Sequence, residues 1–174
     1  MNNTGARFLS LILIMLTSLA GTQSAESISL INDPNGYHDI PWGAALEERD
    51  DLERTRSGSH TNEYHLKSQA PSFAGTEVNS IAYVSVDDQF ARVIVRYQGE
   101  GVHKQVLHYM ETQYGAIERI PGQMARGLNQ QYNWRGPETE INLTYQAGTE
   151  RGHIFIDSRT LAPRFNDHIT DSAE

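Results

Sequence analysis

The stretch that decides the fold is "VNSIAYVSVDDQFARVIVRY", residues 78–97. Residues 78–86 are rich in β-branched and aromatic side chains, which favour strands. Three polar residues follow at 87–89, and the strand pattern then resumes with Val93 and Val95 on one face. Two strand patterns around a short polar gap predict a β-hairpin.

The clearest helical pattern comes next along the chain. Its apolar residues recur at spacings of 4, 3, 1 and 4: Val102, Val106, Tyr109, Met110 and Tyr114. These spacings place them on one face of an α-helix, and Gly115 follows at the position typical of a helix end. We expect Val106 and Met110 to face the sheet. We expect His103 and His108, which diverge around the helix, to be plain surface residues.

Further strands are predicted on both sides of this centre. Before the hairpin, Tyr64 and Leu66 alternate with polar residues. After the helix, three more strands are predicted around residues 132–134, 141–145 and 154–156.

A first helix is predicted over residues 44–56, entered through "IPWG". It has few apolar residues of its own. We therefore interpret Trp42 as a structural plug that enters the core with Ile40, while Gly43 lets the chain turn closely into the helix. The alternative is an exposed Trp42 that anchors a partner.

Together these elements predict an α+β domain. The expected architecture is an antiparallel sheet with two helices on one face, in the order helix, three strands, helix, three strands. The predicted domain covers residues 26–162, and residues 163–174 form a polar C-terminal tail.

The first residues are typical of a secretory signal peptide, predicted over 1–25. Arg7 precedes an apolar run of 13 residues, which as a helix would span about 20 Å, too short for a hydrocarbon core of about 30 Å. Small residues suited to cleavage follow. No later segment is apolar enough to span a membrane, so we expect a periplasmic or secreted protein.

Composition narrows the range of partners. The chain has 174 residues, a net charge of -8 and no cysteine. Removing Arg7 with the signal would change that charge from -8 to -9. An acidic protein without a basic cluster is a poor partner for nucleic acid or an anionic membrane. Without cysteine it has neither disulfides nor thiolate metal ligands.

The layout resembles a loose group of small exported bacterial proteins of unassigned function. The resemblance rests on the aromatic-Gly entry "IPWG", on Tyr114-Gly115 at the exit of the second helix, and on Trp134 in the strand beyond. It implies an envelope protein and no particular activity. At fold level the layout is also similar to the outer-membrane assembly lipoproteins and the β-lactamase inhibitor proteins, although this chain lacks a lipid-bearing cysteine.

Motifs for catalysis or metal binding are scarce. Histidines on one helix face would need a spacing of 3 or 4 to share a metal, and no such pair occurs. His60 and His65 are predicted to straddle a loop and a strand start. Ser57 and Ser59 adjoin His60, but triads are assembled across a fold rather than between sequence neighbours. We expect no cofactor, no metal site and no enzyme activity.

The aromatic residues remain, and most have the parity of core residues. Four are candidates for a tyrosine-lined groove between the second helix and the sheet: Tyr109, Tyr114, Tyr132 and Trp134. The leading functional hypothesis is a non-enzymatic envelope protein that binds another envelope component, a protein first of all. The alternative is a module that binds a small ligand, peptide or glycan in that groove. A third is an exported hydrolase with a dispersed site. The sequence leaves the oligomeric state open.

Overall fold

The computed structural model describes residues 28–117 and 129–171. The predicted signal peptide lies outside the described residues. The described residues form twelve strands and two α-helices, in this order: β1 Ile28–Ser29, β2 Gly36–Tyr37, β3 Ile40–Pro41, β4 Leu52–Ser57, β5 Thr61–Leu66, β6 Ser72–Phe73, β7 Thr76–Glu77, β8 Ser80–Val86, β9 Gln89–Gln98, α1 Glu100–Tyr114, β10 Asn129–Arg135, β11 Thr139–Gln146, β12 Arg151–Ser158 and α2 Arg164–Asp171.

One large sheet dominates the described part of the chain. Its strand order is β1-β10-β11-β12-β9-β8-β5-β4. Seven of these strands pair antiparallel, and the short β1 runs parallel to β10. Strands β2 and β3 form one small hairpin, and β6 and β7 form another.

The central hairpin β8–β9 forms as the sequence predicts. Val86 pairs with Gln89, leaving a two-residue turn. Both turn residues, Asp87 and Asp88, have positive φ, at 48° and 62°. Aspartate tolerates this left-handed region better than most residues, and such turns match the twist of paired strands.

Helix α1 covers one face of the sheet and also forms as predicted, with Gly115 at its end. Val106 and Met110 are fully buried, so the prediction that they face the core is confirmed. They pack into one cluster with inward residues of the central strands: Val93, Val95, Ile141, Leu143, Ile154 and Ile156.

The predicted arrangement of helix, three strands, helix, three strands is wrong. Strands hold 47% of the described residues and the fold is mostly β. Residues 44–56 form only a 3₁₀ turn at Leu46–Glu48, followed by strand β4. Leu46 and Leu52 are both buried, but a spacing of six residues does not place them on one helix face. Pairing of β4 with β5 is therefore the better way to bury Leu52.

The "IPWG" segment extends the sheet rather than entering a helix. Gly43 has φ +85°. Its backbone N–H donates to the carbonyl of Phe90 at 2.8 Å, and the Phe90 N–H donates to Ala44 at 2.9 Å. Gly43 and Ala44 thus bond to the start of β9 at Phe90, just before the part of β9 that pairs with β12.

Trp42 is half-buried and packs against the core. Its ring centroid lies 4.8 Å from that of Phe90, and its indole N–H donates to the hydroxyl of buried Thr139 at 3.0 Å. Thr139 in turn donates to the carbonyl of Pro34. These contacts favour the plug over the exposed anchor, and the effect of Trp42 on stability stays a prediction.

The segment predicted as a polar tail contains helix α2, which packs on the opposite face of the sheet from α1. The Arg92 guanidinium lies 4.6 Å from the Phe165 ring centroid and 5.3 Å from that of Phe155. It also binds Asp157 through two hydrogen bonds, of 2.6 and 3.0 Å. Burial raises the pKa of Asp157, and the Arg92 bonds oppose that rise.

Candidate functional site

A cleft of about 370 Å³ opens between α1 and the two small hairpins. We call it the tyrosine cleft. Three tyrosines line it, Tyr37 from β2 and Tyr109 and Tyr114 from α1, together with Phe73 from β6. Its volume falls within the range of about 300–1,000 Å³ for small-ligand sites.

Local geometry presents the Tyr37 ring to this cleft. The hairpin β2–β3 is so tight that a Cβ on Gly36 would lie 2.2 Å from the Ile40 carbonyl oxygen. Gly36 also has φ +144°, so glycine alone fits there. Tyr37 is consequently held with its ring 5.8 Å from that of Tyr83 and stacked on His38 at 4.2 Å.

The hydroxyls of Tyr37, Tyr109 and Tyr114 are available to a ligand. Within the described residues, none of them bonds to another protein group. None is a buried unsatisfied atom either, so all three reach solvent. Phe73 packs edge-on against Tyr109, with ring centroids 5.4 Å apart. This contact helps to hold the Tyr109 ring in place.

The described wall of the cleft carries no acidic or basic side chain. Its other residues are Pro34, Gly36, His38, Ser72, Ala74 and Gly75, so Asp, Glu, Lys and Arg are absent from the lining within residues 28–117 and 129–171. Burial raises the pKa of Tyr37, and the neighbouring tyrosines raise it further. Burial and Tyr109 raise the pKa of Tyr114 to about 12. Tyr37 and Tyr114 are therefore protonated at neutral pH, and a protonated phenol can both donate and accept hydrogen bonds.

A second cleft of about 340 Å³ lies beside the first and shares His38 and Ser72 with it. Its remaining wall comes from the end of β5, the loop after it and the start of β8: His65, Leu66, Gln69, Ala70, Pro71, Asn79, Ser80 and Ile81. Among the described residues, Asp, Glu, Lys and Arg are absent from this wall too. The two clefts together offer neutral hydrogen-bonding groups to an extended ligand.

The predicted groove residues divide between this cleft and the core. Tyr109 and Tyr114 line the cleft, whereas Tyr132 and Trp134 are 3% and 0% exposed. The Trp134 indole N–H donates to the Gly115 carbonyl at 2.9 Å. Trp134 thus ties β10 to the end of α1 and is closed to any ligand.

Tyr132 belongs to a second group of side chains, which we call the buried cluster. It consists of four aromatic residues and the glutamine that bonds to two of them: Tyr97, His103, Tyr132, Tyr145 and Gln130. The Gln130 side-chain carbonyl accepts from the Tyr132 hydroxyl at 2.8 Å and lies 3.0 Å from His103 Nε2. Because a carbonyl only accepts, Nε2 carries a proton. In neutral His103 the Nδ1 atom then accepts from Tyr97, 2.8 Å away.

The expectation that His103 is a plain surface residue is wrong. His103 is 4% exposed, and its ring stacks on Tyr145 at 3.8 Å with the planes 1° apart. Gly152 on β12 pairs with Tyr97 and leaves room for the Tyr97 ring, because a Cβ there would lie 1.9 Å from that ring. His108, five residues further on, is exposed as expected.

The serine neighbours of His60 do not form a nucleophilic pair. The Ser57 hydroxyl donates to the Asn62 side chain at 2.8 Å, and His60 contacts Asp87 instead. His65 lies 3.1 Å from Glu63. Neither histidine–carboxylate pair is joined to a serine by a hydrogen bond among the described residues.

Sequence reasoning missed Tyr37, His38 and Phe73. Each lies in or beside a strand of only two residues, too short to show any periodicity. The one available signal was the turn signature at residues 33–36, which places the aromatic at 37 directly after a forced bend.

Comparisons with known proteins leave the cleft without a precedent. No family model, no curated protein and no solved structure matches this chain. The resemblance to small exported bacterial proteins therefore stays a prediction. No helix in the described part of the chain is long and apolar enough to cross a membrane.

Proposed function

We propose that this protein is an exported, non-enzymatic binding protein whose tyrosine cleft holds a neutral saccharide. The observation that carries the proposal is the convergence of three unbonded tyrosine hydroxyls, Tyr37, Tyr109 and Tyr114, in a cleft whose described lining residues include no Asp, Glu, Lys or Arg. Among the alternatives that the sequence left open, this arrangement supports a glycan ligand over a protein partner or a hydrolase.

The chemistry of the wall matches a sugar. Phenol hydroxyls donate and accept, as sugar hydroxyls do, so each contact can form in either direction. The faces of aromatic rings are partly negative and attract the polarised C–H groups on the flat face of a pyranose. A charged ligand would lose its hydration here without gaining an opposite charge, so the wall selects for neutral ligands.

The neighbouring cleft favours a chain of sugars over a single ring. A saccharide that fills the tyrosine cleft can continue past His38 and Ser72, which line both clefts. Gln69 and Asn79 then offer side-chain amides in the second cleft. Binding at both places adds contact area without the entropic cost of a second association.

A titration with neutral oligosaccharides tests the proposal. The probe is a series of β-linked N-acetylglucosamine oligomers of two to six units, followed by calorimetry. We expect the affinity to rise with length until both clefts are filled. The double variant Tyr109→Phe/Tyr114→Phe keeps both rings and should weaken binding about 10-fold or more, because two hydrogen bonds to ligand are lost.

The matched control is Tyr64→Phe. Tyr64 is a 4% exposed tyrosine outside both clefts, and its hydroxyl likewise has no protein partner among the described residues. This variant should bind as the wild type does. Equal weakening in the control and the double variant, or binding of neutral peptides but of no oligosaccharide, would refute the saccharide proposal.

A further inference from the structure

Three potential metal ligands from distant parts of the chain meet at one end of the sheet. His60 lies in the turn between β4 and β5, Asp87 in the β8–β9 turn, and His168 on α2. His60 Nδ1 lies 3.1 Å from Asp87 Oδ1. His168 Nε2 lies 3.0 Å from the same oxygen and 3.2 Å from Oδ2. None of these residues lines the two clefts.

The surrounding structure holds the three elements together. The Asp87 backbone N–H donates to the His60 carbonyl at 2.8 Å, which fixes one turn against the other. Helix α2 is held separately by Phe165, which packs on the cluster of Val86, Ala91 and Leu161. The three side chains therefore converge because of backbone and core contacts outside the cluster.

We propose that His60, Asp87 and His168 bind a Zn²⁺ ion. Their three ligand atoms all lie within 4.8 Å of one another. Zinc holds nitrogen at about 2.0–2.1 Å, so ligand atoms in its tetrahedral shell lie roughly 3.3 Å apart. Two imidazoles and one carboxylate are a donor set that zinc accepts, and the fourth position remains for water.

Small rotations separate the present geometry from a zinc shell. The two imidazoles are stacked, with centroids 3.8 Å apart and planes 8° apart, and must tilt because each nitrogen lone pair lies in its ring plane. The His60 side chain is 49% exposed, so its ring is free to turn. The Asp87 carboxylate already lies within 3.1 Å of both ligand nitrogens, at 3.1 Å from His60 Nδ1 and 3.0 Å from His168 Nε2.

One neighbouring charge opposes the ion and another assists it. The Arg164 guanidinium lies 3.9 Å from Asp87 Oδ2, and its side chain is 44% exposed. Its Nη1 atom already donates to Gln89 at 2.7 Å, so this charge is bonded away from Asp87. Asp88 on the same turn adds negative charge.

Bound zinc would clamp α2 to the sheet. Each histidine must be neutral and keep its proton on the nitrogen that faces away from the ion. Protons therefore compete with zinc for these two nitrogens. Helix α2 would then be held more firmly against the sheet in the presence of zinc than in its absence.

The test is zinc titration of the full mature chain after chelation. We expect one Zn²⁺ per chain and a rise in Tm of several degrees, since an ion that binds only the folded state stabilises it. His60→Gln and His168→Gln should each abolish the rise. His65→Gln and His108→Gln alter histidines outside the cluster and should retain it, and Mg²⁺ should have no effect.

Co²⁺ gives a second readout that does not depend on stability. Its visible absorption bands should appear with the wild type and be lost with His60→Gln, which alters only an exposed turn. An unchanged Tm with zinc, or a rise that survives in both cluster variants, would overturn the proposal. If His168→Gln does not fold, His60→Gln decides the outcome alone.

Discussion

The tyrosine cleft and the buried cluster both contact α1, and they differ in where their polar atoms bond. In the buried cluster the hydroxyls of Tyr97 and Tyr132 end on His103 and Gln130. In the tyrosine cleft the hydroxyls of Tyr109 and Tyr114 end on solvent. Helix α1 thus carries two tyrosines that face the cleft and one histidine that is bonded inside the buried cluster.

The difference shows how to separate structural from functional polar groups. A buried donor or acceptor without a partner costs about 1–3 kcal/mol, so most hydroxyls that are closed to water are bonded within the protein. A hydroxyl that opens into a cleft carries no such requirement. Mutations should therefore damage stability in the buried cluster and binding in the tyrosine cleft.

The largest expected effect is that of His103→Ala. The variant removes a buried ring and leaves Tyr97 and Gln130 short of a partner, so we expect a loss of about 2–4 kcal/mol in the free energy of unfolding. His108→Ala on the exposed face should change it by less than about 0.5 kcal/mol. Urea unfolding of both variants measures the difference. Similar midpoints for the two would show that the buried cluster does not stabilise the fold.

A smaller effect separates the two kinds of tyrosine hydroxyl. Tyr97→Phe removes the hydroxyl that donates to His103 Nδ1 in the buried cluster and should cost about 1–2 kcal/mol. Tyr114→Phe removes a hydroxyl without a protein partner and should change the free energy of unfolding by less than about 0.5 kcal/mol. Thermal and urea unfolding of the pair check this. A Tyr114→Phe variant as unstable as Tyr97→Phe would assign the cleft hydroxyls a structural role.

Much of the sheet was predictable because its signals are local. The hairpin β8–β9 carries its own turn and alternating strands, and α1 carries its own apolar stripe and terminal glycine. The prediction of a first helix failed because charged residues are common in surface helices, whereas Leu52 is buried by pairing with Leu66 on β5 and Leu46 lies in the 3₁₀ turn. That pairing is a tertiary choice, and local propensity does not report it.

The misplacement of His103 was avoidable. It lies three residues before Val106 and seven before Met110, on the same helical face. Counting histidine as a surface residue concealed this periodicity, although a histidine can be buried when both ring nitrogens have partners.

The proposed zinc ligands had no sequence signal at all. Asp87 is separated by 27 residues from His60 and by 81 from His168. A search for two histidines on one helix face does not find these ligands, because His60 lies in a turn and only His168 lies on a helix. The sequence therefore predicts that chelation leaves Tm unchanged, whereas the folded arrangement predicts a lower Tm after chelation.

The smallest effect concerns alkaline pH and tests whether the tyrosine cleft shields its phenols. The pKa of Tyr114 is raised to about 12 by burial and by Tyr109, against about 10 in an unfolded chain. Because the folded state holds this proton more tightly, the stabilisation is complete below pH 10 and is lost as pH rises towards 12. At pH 11 the free energy of unfolding of the wild type should have fallen by about 1 kcal/mol more than that of Tyr114→Phe.

Urea unfolding of both proteins between pH 8 and 11.5 measures this difference. Absorbance at about 295 nm in the native state reports the phenolate directly. If the two proteins lose stability in parallel, Tyr114 ionises as it would in water, and the cleft is too open to exclude a charged ligand.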